Sequence, residues 1–140
     1  MALQSPEAAT AMAEQLAMFA DRAEPPPDQA CRDLIATALD TTLFVEAGAG
    51  SGKTTALVAR VVNLVLSGVP VRAIAAITFT EKAASELRHR IRHELTKLAA
   101  IDPAGAAAAA LSDVDNAPIG TLHAFARRLL GEFPIEAGLP

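Results

Sequence analysis

A glycine-rich segment at residues 47–54 carries the side chains best suited to chemistry. It reads Ala-Gly-Ala-Gly-Ser-Gly-Lys-Thr and ends on Lys53 and Thr54. Glycines leave consecutive backbone N–H groups free of Cβ interference, so such a loop can curl around an anion. A lysine ammonium suits the β- and γ-phosphates of a nucleotide, and a neighbouring hydroxyl suits Mg²⁺. The spacing predicts a phosphate-binding loop, with Lys53 and Thr54 as its catalytic pair and Thr54 as the Mg²⁺ contact.

The segments on either side of the loop fit this interpretation. Residues 42–46 form an apolar run that predicts a strand, and the pattern after Thr54 predicts a helix to about Leu66. The helix start adds unpaired N–H groups and a positive dipole end. The alternative, a glycine-rich strand-to-helix turn without a ligand, is disfavoured because the Lys-Thr pair and both flanking segments fit a phosphate-binding loop. The general pattern has Gly where this chain has Ala47. The predicted nucleotide contacts in the loop are Ala47, Gly48, Ala49, Gly50, Ser51, Gly52, Lys53, Thr54 and Thr55.

Composition and charge narrow the class of protein. The 140 residues are 51% hydrophobic and carry a net charge of −4, which argues against disorder and against a general polyanion binder. Residues 1–50 are acidic, whereas residues 51–140 are mildly basic. The single cysteine, Cys31, excludes an internal disulfide and fits a reducing cytoplasm. No apolar run is long enough to span a membrane, and the N-terminus has no basic signal region. We therefore expect a cytoplasmic protein.

The hydrophobic pattern predicts an α/β fold with a parallel sheet flanked by helices. Residues 1–24 read as an acidic, Ala-rich helical extension, with a helix over residues 1–23, and residues 25–140 as one domain. The order β–α–β–α–α–β–α favours parallel strands joined by crossovers. Strands are predicted over residues 42–46, 73–78 and 116–120. Helices are predicted over residues 28–39, 55–66, 81–100, 106–111 and from Thr121 onward.

Two segments follow predicted strands at the edge where open α/β sheets place their ligands. The first offers two hydroxyls and an aromatic face, Thr78, Thr80 and Phe79. An aromatic ring can stack on the bases of a single strand, so this segment predicts a nucleic-acid contact. The alternative is that Phe79 belongs to the core and the threonines cap the following helix. The second has Thr121 and His123 at a helix start that could hold a phosphate, or a purely structural histidine. Its helix is predicted to bury Leu122, Phe125, Leu129 and Leu130 and to turn Arg127 and Arg128 to water.

Four segments together resemble the amino-terminal motor motifs of the UvrD/Rep-like superfamily 1 DNA helicases. The resemblance includes Gln29 near a helix start, the loop at 47–54, Thr-Phe-Thr-Glu-Lys-Ala-Ala at 78–84 and Gly-Thr-Leu-His-Ala-Phe at 120–125. Ala at the first loop position is usual in that family. The sequence at 78–84 is similar to that of the RecB/AddA-like helicase–nuclease branch. Many plain helicases have Asn where this chain has Glu81.

The resemblance implies a P-loop NTPase (RecA-like) fold and specific roles. Gln29 would contact the adenine of ATP, Lys53 and the loop amides the phosphates, and Thr54 the magnesium. Single-stranded DNA would meet Thr78, Phe79, Thr80, Thr121 and His123. The helix at 81–100 carries basic side chains that either attract DNA phosphates or form a solvated face. These side chains are Lys82, Arg88, Arg90, Arg92 and Lys97. The expected activity is ATP-dependent, 3′–5′ DNA translocation in repair or recombination, with a nuclease domain or partner subunit.

One part of such a motor is not evident in the sequence. Hydrolysis needs an acidic pair for Mg²⁺ and water, and arginines for the leaving phosphate. Asp102 follows an apolar run but precedes Pro103, and Asp113 and Asp115 follow no strand. We therefore expect an incomplete first motor lobe, a fragment that is inactive alone. The alternatives are a small P-loop kinase or transferase, which leaves the segments after the strands without a role, and a nucleotide- or DNA-binding module without turnover.

Overall fold

Five α-helices, two short β-strands and two 3₁₀ turns form the described part of the chain, residues 27–138 of this computed structural model. The helices are α1 (Gln29–Thr37), α2 (Lys53–Leu66), α3 (Glu81–Ile101), α4 (Ala106–Asp113) and α5 (Leu122–Glu132). The strands are β1 (Ala76–Thr78) and β2 (Ile119–Thr121), and the 3₁₀ turns are Val71–Ala73 and Val114–Asn116.

The chain divides into two units, residues 1–30 and residues 31–140. Of the first unit the structure describes residues 27–30, which include the start of α1. The predicted extension at residues 1–24 and its helix lie outside the described residues. The predicted domain boundary after residue 24 stays a prediction.

The core of the second unit forms where three helices meet. α2 turns one apolar stripe inward, because its valines recur at the three- and four-residue spacing that places side chains on one helix face. α3 does the same with Leu87, Ile91 and Leu95, which are almost completely buried. α4 adds the small side chains of Ala107 and Ala110, which allow close helix packing. The inward valines of α2 are Val58, Val61, Val62 and Val65.

The two strands pair in parallel, so the predicted α/β class and parallel pairing are confirmed. Ala76 pairs with Ile119, Ile77 with Gly120 and Thr78 with Thr121. Each strand is followed by a helix, α3 after β1 and α5 after β2. Both helices therefore begin at the same edge of the sheet.

The predicted first strand at residues 42–46 is wrong. These residues form no strand, and Phe44 is 94% exposed. A strand needs the hydrogen bonds of a neighbouring strand, and no described segment pairs with this one. The run is apolar, but an apolar run does not reveal whether a partner strand lies beside it.

The other two strands are shorter than predicted and shifted along the chain. The run at 73–78 begins with a 3₁₀ turn, in which the Ala73 and Ile74 amides donate to the carbonyls of Pro70 and Val71. Ile77 is 43% exposed, so one face of β1 is open to solvent although the run at 73–78 is continuously apolar. The run at 116–120 likewise begins as a turn and becomes strand only at Ile119. Periodicity alone does not separate such turns from strands.

The predicted core stripe on α5 is also wrong. Leu122, Leu129 and Leu130 are exposed, and the helix has no fully buried residue. The helix is amphipathic, and Phe125 is half-buried, but the described elements leave the three leucines uncovered. Nor is Arg128 simply turned to water, because its guanidinium donates to the Asn116 carbonyl at 2.9 Å and to Glu132 at 2.9 Å.

Candidate functional site

The glycine-rich loop takes a shape that only glycine adopts easily. Gly50 and Gly52 have φ angles of 77° and 85°, in the left-handed region that other residues rarely enter. Ser51 between them donates its hydroxyl hydrogen to the Gly48 carbonyl at 2.8 Å. Gly52 is the N-cap of α2, so the loop runs directly into the helix start. This arrangement places a glycine-rich backbone at a helix N-terminus, where anions are favoured.

Lys53 folds back over the loop that precedes it. Its ammonium donates to the carbonyls of Ala47 at 2.5 Å and Gly48 at 2.6 Å. Thr54 and Thr55 follow in the first turn of α2 with exposed side chains. The lysine and both hydroxyls are thus exposed at the start of α2, and the predicted phosphate site stays a prediction.

Arg32 of α1 contacts this loop, and the sequence motifs did not predict it as a site residue. Its guanidinium donates to the Ser51 carbonyl at 2.7 Å. It also fills the space beside Gly52, because an added Cβ there would lie 2.7 Å from Arg32 Nη1. Gln29, the predicted adenine contact, is the first residue of α1 and belongs to the N-terminal unit. Arg32 lies three positions later on the same helix, a spacing that could have drawn attention to it.

Arg60 is a second missed residue, and it ties α2 to the end of α1. Its guanidinium donates to four backbone carbonyls, three of them within 3.0 Å. The last carbonyls of a helix have no partner within the helix, so these bonds satisfy groups that would otherwise need water. Asn63, three residues further along α2, donates to the Ala36 carbonyl at 2.9 Å. The carbonyls that accept hydrogen bonds from Arg60 are those of Ile35, Ala38, Leu39 and Thr41.

The second predicted cluster gathers at the carboxyl edge of the sheet. Thr78 and Thr121 are direct partners in the β1–β2 register, so the two predicted DNA segments start side by side. Phe79 is 97% exposed, which rules out its alternative assignment to the core. Thr80 is the N-cap of α3 and accepts from the Ala83 amide at 3.1 Å. The side chain of His123 is exposed in the first turn of α5.

Thr121 differs from the other predicted contacts because it is buried, with 6% exposure. Its hydroxyl oxygen accepts from the Ala124 amide at 3.2 Å, which caps α5 as predicted. The same hydroxyl donates to Glu81 Oε1 at 3.0 Å. The side chain of Thr121 is therefore engaged within the fold, and the exposed groups at this edge are Phe79, Thr80 and His123.

Most basic side chains of α3 are occupied by protein partners. Arg90 pairs with Glu86 at 2.5 Å and Lys97 with Glu94 at 2.8 Å. Arg88 is partly buried and donates to the Ile119 carbonyl. For Arg88, Arg90 and Lys97 these contacts favour a structural role within the protein over attraction of DNA phosphates.

Arg92 extends the same pattern by linking α3 to the turn before β2. It pairs with Asp115, and its hydrogen bond holds the pKa of that carboxyl below its ordinary value. The hydrogen bond from Lys97 likewise lowers the pKa of Glu94. Lys82, at the start of α3, is exposed.

The acidic residues considered for metal binding have other roles. Asp102 caps the end of α3 and accepts from the Ala104 amide at 3.3 Å. Asp113 accepts from the Asn116 side chain at 2.8 Å. Within residues 27–138 no three His, Cys, Asp or Glu side chains cluster as a metal site would require. No helix of that part is long and apolar enough to cross a membrane.

Comparison with known proteins gives several relatives with informative names. The chain is 41% identical over 92 residues to the A subunit of the ATP-dependent helicase/nuclease of Lactobacillus gasseri. The aligned region covers 65% of this chain and 8% of the relative. The protein of the same name from Latilactobacillus sakei is 43% identical over 95 residues, covering 65% and 11%. DNA helicase II of Haemophilus influenzae is 40% identical over 110 residues, covering 78% and 14%. No solved structure gives a significant match.

The chain thus spans a small part of the length of these relatives, between 8% and 14%. The model of the UvrD/REP helicase N-terminal domain matches residues 29–139, which include the glycine loop and both segments at the sheet edge. The family expected from the sequence motifs is confirmed: this chain belongs to the UvrD/REP helicase N-terminal domain family.

Proposed function

We propose that this chain is the nucleotide-binding part of the first motor lobe of an ATP-dependent DNA helicase. The observation that carries the proposal is the loop at 47–54, in which two left-handed glycines lead into a helix that starts on Lys53. A P-loop NTPase (RecA-like) architecture is proposed with it. The parallel strands followed by helices fit that architecture.

ATP and Mg²⁺ are the ligands that the loop residues suit. The backbone amides between Ala47 and Lys53 would hold the phosphates, and Lys53 would neutralise their charge. The Thr54 hydroxyl is an oxygen donor of the kind that Mg²⁺ accepts, and Thr55 adds a second hydroxyl in the same turn. Gln29 would recognise adenine, because an amide offers one donor and one acceptor to that base.

Single-stranded DNA is the proposed second ligand, held at the carboxyl edge of the sheet. Phe79 presents an almost fully exposed ring, a stacking surface that suits any base. Thr78 and Thr80 lie beside it in sequence, and exposed His123 lies in the first turn of α5. We propose that Phe79, Thr80 and His123 contact the strand directly, while Thr78 and Thr121 hold the two segments together.

Hydrolysis and movement along DNA are proposed for the protein at its natural length. Neither the acidic pair nor the arginines that hydrolysis needs are found in the described part of this chain. We propose 3′–5′ translocation and, since two relatives are named as helicase/nuclease subunits, a nuclease domain or partner subunit. The cytoplasmic location inferred from the sequence remains a prediction.

The DNA assignment is tested by Phe79→Ala, with Phe44→Ala as a matched control. Both rings are almost fully exposed, at 97% and 94%, but only Phe79 lies at the sheet edge. Loss of one base stack costs roughly 1–3 kcal/mol, or about a tenfold rise in Kd for a fluorescent oligothymidylate. Phe44→Ala should bind as the parent does. Equal affinity of the two variants for the oligonucleotide would remove Phe79 from the proposed site.

A further inference from the structure

Glu81 joins the two segments at the sheet edge through its side chain. It is the first residue of α3, directly after the cap Thr80. Its carboxylate accepts the hydroxyl hydrogen of Thr121 at 3.0 Å, across forty positions of sequence. Thr121 in turn is the cap of α5. One side chain therefore links the starts of the two helices, close in sequence to the exposed Phe79 before α3 and the exposed His123 in α5.

The chemistry of this link suits the carboxylate at position 81. A carboxylate is stabilised at a helix N-terminus, and here it serves the start of α3 while it binds the cap of α5. The Thr121 hydroxyl is buried and accepts from the Ala124 amide, so its single hydrogen is free to be donated to Glu81. Burying that hydroxyl without an acceptor would be unfavourable.

The strand register adds the second component of the arrangement. Thr78 and Thr121 pair directly at the ends of β1 and β2. Beyond these two residues the chains diverge into separate helices, and no ladder hydrogen bond joins them. The Glu81–Thr121 hydrogen bond continues the connection past the end of the sheet, where Phe79 and His123 lie.

We propose that Glu81 is a positioning residue for single-stranded DNA, which fixes the separation between the segment 78–80 and the segment 121–123. The inference rests on the proposed function, because it assumes that both segments meet DNA. A strand long enough to reach both segments gains from having them held in place, in the way that linked binding sites act together. A strand that reaches only one segment gains nothing from the link.

The experiment compares three variants at position 81 in the full-length protein. Glu81→Gln keeps an acceptor oxygen at the same reach and loses the charge. Glu81→Asp keeps the charge and a favourable helix-start residue but is one methylene shorter. Glu81→Ala removes both. Glu86→Ala, an exposed residue of the same helix that pairs only with Arg90 among its described contacts, is the control for loss of a carboxylate.

Binding is measured with oligothymidylates of about four and about twelve nucleotides, lengths that span the usual range for single-strand sites. We expect Glu81→Asp and Glu81→Ala to raise the Kd of the longer strand about tenfold and to leave the shorter strand unchanged. Glu81→Gln and Glu86→Ala should bind both strands as the parent does. Thermal unfolding of each variant checks that it is folded, and Glu81→Asp still tests the inference if Glu81→Ala does not fold.

Two results would overturn the inference. One is a Glu81→Asp variant that binds the longer strand as the parent does, and the other is an equal loss in Glu81→Gln and Glu81→Asp. Phe79→Ala, run in parallel, separates this failure from failure of the DNA assignment itself. If Phe79→Ala weakens binding while Glu81→Asp does not, the DNA site stands and only the role of Glu81 is wrong.

Discussion

At the scale of single residues, Gly52 is the most constrained position of the phosphate loop. Its φ angle of 85° lies in the left-handed region, and Arg32 occupies the space that a Cβ would need. The backbone conformation thus favours glycine there, and an added methyl group would also require the Arg32 guanidinium to move. Gly48 differs, since it has no positive φ angle and nothing lies within 4 Å of an added Cβ.

This contrast gives a matched pair of variants. Gly52→Ala should destabilise the fold by about 1–2 kcal/mol from the left-handed conformation alone, and by more because Arg32 must move. Adding Arg32→Ala should recover part of that loss but not the backbone term. Gly48→Ala should be close to the parent. Urea unfolding measures all four proteins, and equal stability of the two glycine variants would contradict this account of the loop.

Lys53 is the residue on which nucleotide affinity should depend most. Its ammonium lies over the loop carbonyls, and a charge-assisted contact to phosphate is among the stronger hydrogen bonds in proteins. Lys53→Ala should raise the Kd for a fluorescent ATP analogue about tenfold or more. Lys97→Ala removes a lysine that pairs with Glu94 on the surface of α3 and should leave that Kd unchanged. Equal effects would indicate a general charge effect rather than a phosphate site.

At the scale of elements, Arg60 holds α1 against α2. Loss of its bonds to the last carbonyls of α1 should cost about 2–3 kcal/mol, because these carbonyls would lose a charged donor. Arg60→Ala should therefore lower the free energy of unfolding and speed amide exchange over residues 34–41. Arg90→Ala, which breaks an exposed pair within α3, should cost less than about 1 kcal/mol. Similar losses in the two variants would refute a special role for Arg60.

The Arg92–Asp115 pair predicts a pH dependence of the contact between α3 and the turn before β2. The pKa of Asp115 is lowered in the folded chain, so its contribution to stability is complete above the ordinary carboxyl pKa of about 4. The contribution is lost as the pH falls through the lowered value. Asp115→Asn should flatten this part of the stability curve slightly, since the pair is exposed. An unchanged curve between about pH 2 and pH 4 would contradict the assignment.

The sequence predicted helices better than strands, and the reasons are specific. α3 was predicted to within one residue because Thr80 marks its start and its apolar residues keep a clear helical period. Thr121 was likewise correct as the cap of α5. The strand at 42–46 failed because pairing depends on a neighbouring strand that local pattern does not reveal. Arg32, Arg60 and the Glu81–Thr121 link were missed because their partners lie far away in sequence.

At the scale of the whole molecule, several apolar side chains of the described residues remain exposed, and they include two neighbouring pairs. Phe44 and Val45 lie in the extended segment before the loop, and Leu129 and Leu130 lie on α5. Exposed apolar patches and unpaired backbone favour association with other surfaces. The same features explain why the sequence pattern predicted burial at these positions, since a pattern reports which residues are apolar and not which are covered.

We therefore expect the 140-residue polypeptide by itself to bind a hydrophobic dye and to self-associate. Leu129→Glu combined with Leu130→Glu should reduce both effects, while Ser112→Glu, a polar surface position of α4, should not. Light scattering and dye fluorescence measure the two quantities. A monomeric polypeptide that does not increase the fluorescence of the dye would show that these apolar residues are covered in solution.

The most direct test of the proposed function is ATP hydrolysis by the protein at its natural length, with and without single-stranded DNA. We predict hydrolysis that single-stranded DNA stimulates, that Lys53→Ala abolishes, and that loses its DNA stimulation in Phe79→Ala. Hydrolysis that is indifferent to DNA in the parent protein, or ATP binding that survives Lys53→Ala unchanged, would contradict the account of this chain as part of a DNA-driven motor.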